Sequence, residues 1–266
     1  MKLTIYTHYT DPESRNDPWK EALKCFEEIA DELIIVGQDW PDSFSWDYIG
    51  KVFQEGFEKS TGDWVINMPI DNLFHEKDLV YIKNFIFQNK EQPAIAFPKR
   101  KFFTPDRYEI KTRDVLAMNK KDYPNIKLNG GGDLCLPTLN GIEIEAKDVP
   151  NAKAALWNYD TVFRTKEIIM KDRKRFANAW FDYFGTWDDR GGSSEEEAFD
   201  AWFKMVQDRY KYHIYKTKIS DHPSYIQEKL LNLKENQFGY DGFGLKKNTK
   251  RELKHYFESY KKLFLY

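Results

Sequence analysis

With 266 residues and 41% hydrophobic content, the chain is long and apolar enough to bury a sizeable core, so disorder is not the expectation. A formal net charge of −2, from 41 basic and 43 acidic side chains, speaks against a general nucleic-acid binder, which would carry a clear basic excess. Two cysteines, Cys25 and Cys135, are too few for a disulfide framework or a zinc site, and no apolar run approaches the ~18 residues of a transmembrane helix.

The N-terminal Met-Lys-Leu-Thr-Ile-Tyr lacks the apolar stretch of a signal peptide, so a cytoplasmic location is expected. Residues 3–7 read as a first strand by their β-branched and aromatic content. Asp17-Pro18 has the pattern of a helix start, with Asp17 as N-cap, and Trp19, Leu23, Phe26 and Ile29 then fall on one face. The apolar run 32–36 fits a buried parallel strand, and a second amphipathic helix is expected over 46–60, with Trp46, Ile49, Phe53 and Phe57 inward. Gly62-Asp63 ends it, residues 64–68 form a third strand, and a third helix covers 77–88.

This alternation predicts a Rossmann-type, mostly parallel α/β sheet flanked by helices. Short strands over 94–97, 108–111 and 115–118 follow, up to the cluster Gly130-Gly131-Gly132. Helices are expected over 167–184, 195–210, 224–234 and 247–264. The division is a nucleotide-sugar-binding and catalytic core over 1–165 and a helical C-terminal extension over 166–266, packed on the core and completing the site. The extension has no linker-like stretch before it. Aromatic residues, 17% of the chain, fit a packed core better than a binding platform, while Trp157, Asn158 and Tyr159 fit an acceptor platform and core packing equally well.

In a parallel α/β sheet, ligands gather at the carboxyl ends of the strands. The third strand runs into Met68-Pro69-Ile70-Asp71, which places one carboxylate there. The stretch from Gly50 through Gly62-Asp63-Trp64 to Asp71 resembles the middle of family 2-type GT-A glycosyltransferases, where a helix and a Gly-Asp-aromatic turn precede a strand ending in an Asp-x-Asp metal motif. The likeness covers roughly the first 90 residues. It departs at Pro69, which stands where the first motif Asp would be, and at Val36-Gly37-Gln38-Asp39, where the acidic end of the second strand is shifted to Asp39.

The resemblance implies a GT-A-like fold and a metal-dependent transferase acting on a nucleotide-diphosphate sugar. Asp71 would hold Mn²⁺ or Mg²⁺ against the diphosphate, with phosphate oxygens and water filling the shell, and His222, in Ser220-Asp221-His222-Pro223, would be the second ligand. Thr7 and Tyr9 would meet the base, Asp39 the ribose or uracil, and Lys51 the diphosphate. Asp133, directly after the three glycines, would be the base on the acceptor side.

The expected acceptor is a glycan or lipid-linked saccharide. A phage-type transfer to a hydroxymethylated DNA base is the alternative permitted by the basic stretches at 171–175 and 246–262. Nucleotidyl transfer in sugar-nucleotide synthesis is a further reading, opposed by the absence of glycine from residues 7–15. A non-catalytic sugar-nucleotide-binding module is the last.

Overall fold

The computed structural model describes residues 1–41, 43, 45–128 and 135–265. The chain begins β1 (Leu3–His8), α1 (Trp19–Ile29), β2 (Glu32–Val36), α2 (Trp46–Lys59) and β3 (Trp64–Asn67). A short β4 (Asn72–Leu73) and α3 (Leu79–Gln88) lead to a long hairpin, β5 (Ala94–Thr104) and β6 (Arg107–Asn119). Four short strands follow: β7 (Lys127–Leu128), β8 (Pro137–Leu139), β9 (Ile142–Glu143) and β10 (Leu156–Asn158). The remainder is α4 (Lys166–Phe184), α5 (Glu195–Tyr210), β11 (Tyr215–Lys216), α6 (Ser224–Leu231), α7 (Phe238–Asp241), α8 (Leu245–Asn248) and α9 (Leu253–Leu265).

The central sheet has the order β2-β1-β3-β6-β5-β10-β4, with β11 added on β6. Strand β1 is parallel to β2 and β3, and β10 is parallel to β5, while β6 opposes both of its neighbours. Strands β1, β2, β3, β5 and β10 therefore share one direction, so the sheet is mainly parallel and their carboxyl ends form one edge. Helices flank it. Strands β7, β8 and β9 form a separate small sheet.

The helices bury the faces their periodicity marks. Phe26 and Ile29 of α1 are buried together with Ala22 and Cys25, Trp19 and Leu23 are half-buried against the same cluster, and Trp46, Ile49, Phe53 and Phe57 of α2 are buried. Each buried Phe or Ile side chain contributes roughly 1.5–3 kcal/mol. Gly56 lets α2 approach the sheet, because a Cβ there would lie 2.2 Å from the Tyr6 ring. The Gly62-Asp63 turn has an equally local cause. A Cβ on Gly62 would lie 2.6 Å from Thr4 Oγ1, and the Asp63 carboxylate accepts the Lys2 backbone N–H at 2.7 Å.

Three local expectations change. The strands expected at 94–97, 108–111 and 115–118 are parts of one hairpin, whose register shifts at Ile95/Ala96, Pro98/Arg100 and Phe102/Thr104 break the alternation. Asp17 makes no side-chain cap, because its carboxylate is taken by Arg164. The last expected helix is divided into α8 and α9. The C-terminal helices pack on the sheet: Ile226 and Leu230 of α6 share a cluster with Leu3, Phe26 and Trp157, and Phe199 and Trp202 of α5 join Phe103 of β5. Among the described residues no helix is long and apolar enough to cross a membrane.

Candidate active site at the carboxyl edge

At the end of β1, Thr7 is fully buried and its Oγ1 has no hydrogen-bond partner, and His8 Nε2 is likewise unpaired. Burial, and then the charge of Arg15, lower the His8 pKa to about 4, so its ring is neutral near pH 7. Tyr9 is half-buried against Trp19, with ring centroids 5.9 Å apart. The next residue, Thr10, ties this end to the loop after β2: its hydroxyl donates to Gly37 O at 2.7 Å and accepts from Trp40 N at 3.0 Å. Asp39 is exposed in that same turn.

Strand β3 pairs Asn67 with Tyr6 and delivers the chain to Asp71. Asn67 Oδ1 and Asp71 Oδ1 are both buried and unpaired. The Asp71 carbonyl accepts the Tyr159 N–H at 2.8 Å, which fixes Asp71 next to Asp160 just beyond β10. In the neighbouring positions Asn158 Nδ2 donates to Asn72 Oδ1 at 2.9 Å, leaving Asn158 Oδ1 and Thr161 Oγ1 unpaired.

Asp160 is the centre of a charge network. Lys101 Nζ lies 2.8 Å from it, Arg164 Nη1 3.7 Å and Arg173 Nη2 3.9 Å, yet 29% of the Asp160 side chain remains exposed, so a ligand can reach it. Arg164 in turn meets Asp17 at 2.7 and 2.9 Å and Asp172 at 2.7 Å. Burial alone would raise the Asp160 pKa, but Lys101, Arg173 and Arg164 outweigh it and hold the carboxyl well below the usual range. Asp71 goes the other way: burial and then the charge of Asp160 raise its pKa, against Lys101, Lys99 and Arg164. Two neighbouring carboxyls with acidities pushed apart are a common mark of a working site.

Helix α4 continues from this network to the loop after β2. Its Arg175 Nη2 donates to Pro41 O at 3.1 Å, and Phe176 and Trp180 pack on Trp46 with centroids 5.0 and 5.2 Å apart.

Of the residues singled out in the sequence, Thr7, Tyr9 and Asp71 lie along this edge, with Asp39 in the turn beside it. Lys51 does not. It is exposed on the outer side of α2, lining a cavity of about 420 Å³ with Gln54, Glu58 and Lys127. Asp133 lies outside the described residues, together with the three glycines before it.

The expectation for His222 needs correction. It is fully buried among Phe102, Trp157 and Tyr159. Its Nδ1 is 2.8 Å from the Tyr159 hydroxyl and its Nε2 2.8 Å from Pro105 O, so Nε2–H donates to the carbonyl and Nδ1 accepts from Tyr159. Neither nitrogen has a lone pair left for an ion. Trp157 and Tyr159 are core residues of the same aromatic block, 2% and 0% exposed.

These residues do not fit a protein-held divalent ion. Pro69 replaces one ligand, His222 is engaged elsewhere, and among the described residues no group of three or more His, Cys, Asp or Glu is arranged around a common point. One carboxylate can suffice when phosphate completes the shell. Here, however, Lys101, Lys99 and Arg164 all act on Asp71, and a dication would enter against their charge.

Sequence reasoning missed Lys101, Asp160 and Arg164. The available signal was Asp160 and Arg164, spaced i,i+4 and directly before the helix cap at Thr165.

No protein-family model matches this sequence, and no curated protein matches it. Among solved structures the chain is similar to TarS of S. aureus. The 1–349 fragment is 14% identical, with 78% of this chain and 80% of that chain covered and a TM-score of 0.39. The same fragment in complex with UDP is 11% identical, with 95% and 93% covered and a TM-score of 0.39. In complex with UDP-GlcNAc the values are 12%, 88%, 79% and 0.38.

Proposed function

We propose that this chain is a glycosyltransferase that binds a nucleotide-diphosphate sugar at the carboxyl edge of its sheet and moves the sugar to an acceptor hydroxyl. One observation carries this reading. Six buried polar atoms without partners, on Thr7, His8, Asn67, Asp71, Asn158 and Thr161, lie at or just beyond the ends of β1, β3 and β10, along the edge that also carries the two carboxyls with divergent acidities. Unpaired buried polar atoms are costly and call for a partner, and a ligand rich in hydroxyls and phosphate oxygens supplies many. The resemblance of residues 50–71 to the middle of family 2-type GT-A glycosyltransferases supports the same class.

In this reading Thr7 and Tyr9 meet the nucleoside, Asp39 lies towards its ribose, and Asp71 faces the donor's diphosphate. Asp133 keeps the role of base that the resemblance gives it, while Asp160, 2.8 Å from the Lys101 ammonium, belongs to the diphosphate side. The acceptor O–H proton passes to Asp133 as the acceptor oxygen bonds to the anomeric carbon. The bond from that carbon to the diphosphate oxygen breaks, and the nucleoside diphosphate leaves with its electron pair. Attack from the side opposite the diphosphate inverts the anomeric centre. A glycan or lipid-linked saccharide is the proposed acceptor.

The test is a panel of sugar nucleotides read by nucleoside-diphosphate release. UDP-GlcNAc comes first because TarS has been crystallised with it. Release from at least one donor, with inversion seen by NMR of the product, is expected. A chain that neither hydrolyses, transfers from, nor is thermally stabilised by any donor would refute the reading.

A further inference from the structure

We infer that in this chain the ammonium of Lys101 takes the place of a divalent ion opposite the donor's diphosphate. The inference rests on the glycosyltransferase reading and concerns how that site handles charge. Lys101 pairs in register with Asn158 of β10, and Asn158 bonds to Asn72 of β4, so one row across the sheet leads from the lysine to the residue after Asp71. Asp160 lies 2.8 Å from the ammonium, and Asp71 is held to the chain beside Asp160 through the Tyr159 N–H at 2.8 Å. The positive charge therefore sits with both carboxylates, where the diphosphate would arrive.

The neighbouring cations are more fully committed. Arg164 is held by Asp17 and Asp172, Lys99 is paired with Asp114, and Arg173 reaches Asp160 only at 3.9 Å. An ammonium has three donors, and among the described residues one of those on Lys101 is used, by Asp160. Lysine binds phosphate as a point charge on a flexible stem, which lets it follow the oxygen on which negative charge develops. Burial lowers its pKa, and Asp160 and Asp71 act against that shift. The same two carboxylates would be the protein's share of a metal site, and Lys101 already occupies their field.

The experiment is calorimetric titration of UDP and a panel of other nucleoside diphosphates into the full chain, once with EDTA and once with Mn²⁺ or Mg²⁺. Dissociation constants within about twofold of each other in the two buffers are expected. Lys101→Gln should weaken binding at least tenfold, and Lys101→Arg should restore most of it, with the melting temperature of each free variant showing that it folds. Binding by the unaltered chain that appears only with a divalent ion would overturn the inference while leaving the glycosyltransferase reading intact. Lys101→Gln binding as tightly as the unaltered chain would overturn it too. If no nucleoside diphosphate binds in either buffer, the glycosyltransferase reading fails and this inference fails with it.

Discussion

The two faces of the β5–β10 pair bury polar groups to opposite ends. On one face Lys101 and Asp160 meet beside Asp71, an ionised pair left partly open and flanked by unpaired oxygens. On the other, Phe102, Trp157 and Tyr159 enclose His222, whose two ring nitrogens are both hydrogen-bonded. Successive side chains on a strand point to opposite faces, so one step in sequence, from Lys101 to Phe102 or from Tyr159 to Asp160, separates the two environments. A buried polar group with every bond made is structural. One left unpaired at a sheet edge is available for a ligand.

Against the open face, the most severe loss of turnover should come from removing the proposed base. Asp133→Asn should lower turnover by about 10²–10⁴-fold, the usual effect of removing a general base, while nucleotide affinity changes little. Steady-state rates and calorimetry on the same sample separate the two effects, and an Asp133→Asn enzyme of normal rate would remove Asp133 from that role.

Arg164→Met attacks the support behind that face. It leaves the buried Asp17 and the half-buried Asp172 with Arg15 as their shared remaining partner and removes one of the cations around Asp160. Breaking a buried pair in this way costs about 3–5 kcal/mol, measurable by denaturant unfolding. A loss below ~1 kcal/mol would mean that the network is not a structural unit.

The closed face should respond differently. His222→Leu leaves the Tyr159 hydroxyl and the Pro105 carbonyl unpaired, at a cost of roughly 1–3 kcal/mol in stability, and nucleotide affinity should not change. Its pH dependence follows from burial, which lowers the His222 pKa from 6.5 to about 4. Between those values the unfolded chain takes up a proton that the folded chain refuses. The stability is therefore complete above pH 6.5 and falls as pH drops towards 4, by an amount on the order of 3 kcal/mol. Unfolding curves across that range should be flatter for His222→Leu, and identical slopes would show that the ring is not buried neutral.

The contrast between the faces was only partly legible in the sequence. The order from β1 to α3 follows from local apolar periods, and Asp71 could be found because it sits directly after a recognisable strand. Asp160 could not, since β10 is three residues long and too short to show a period. Its partner Lys101 is 59 residues away, on a strand whose alternation is disturbed by the irregular register on either side of Pro98 and Arg100. His222 was misplaced for the same reason. The motif Asp-His-Pro gives the chemistry of an imidazole but not the side of the sheet on which it packs.

The central claim is that the carboxyl edge holds the nucleotide. Hydrogen–deuterium exchange with and without a saturating nucleoside diphosphate tests it most directly. The account predicts new protection in three stretches far apart in sequence: residues 7–10 after β1, 67–72 after β3 and 158–161 after β10. Protection confined to the groove along α2 and β7, or to the cavity of about 280 Å³ lined by Phe203, Lys211 and Phe243, would contradict it.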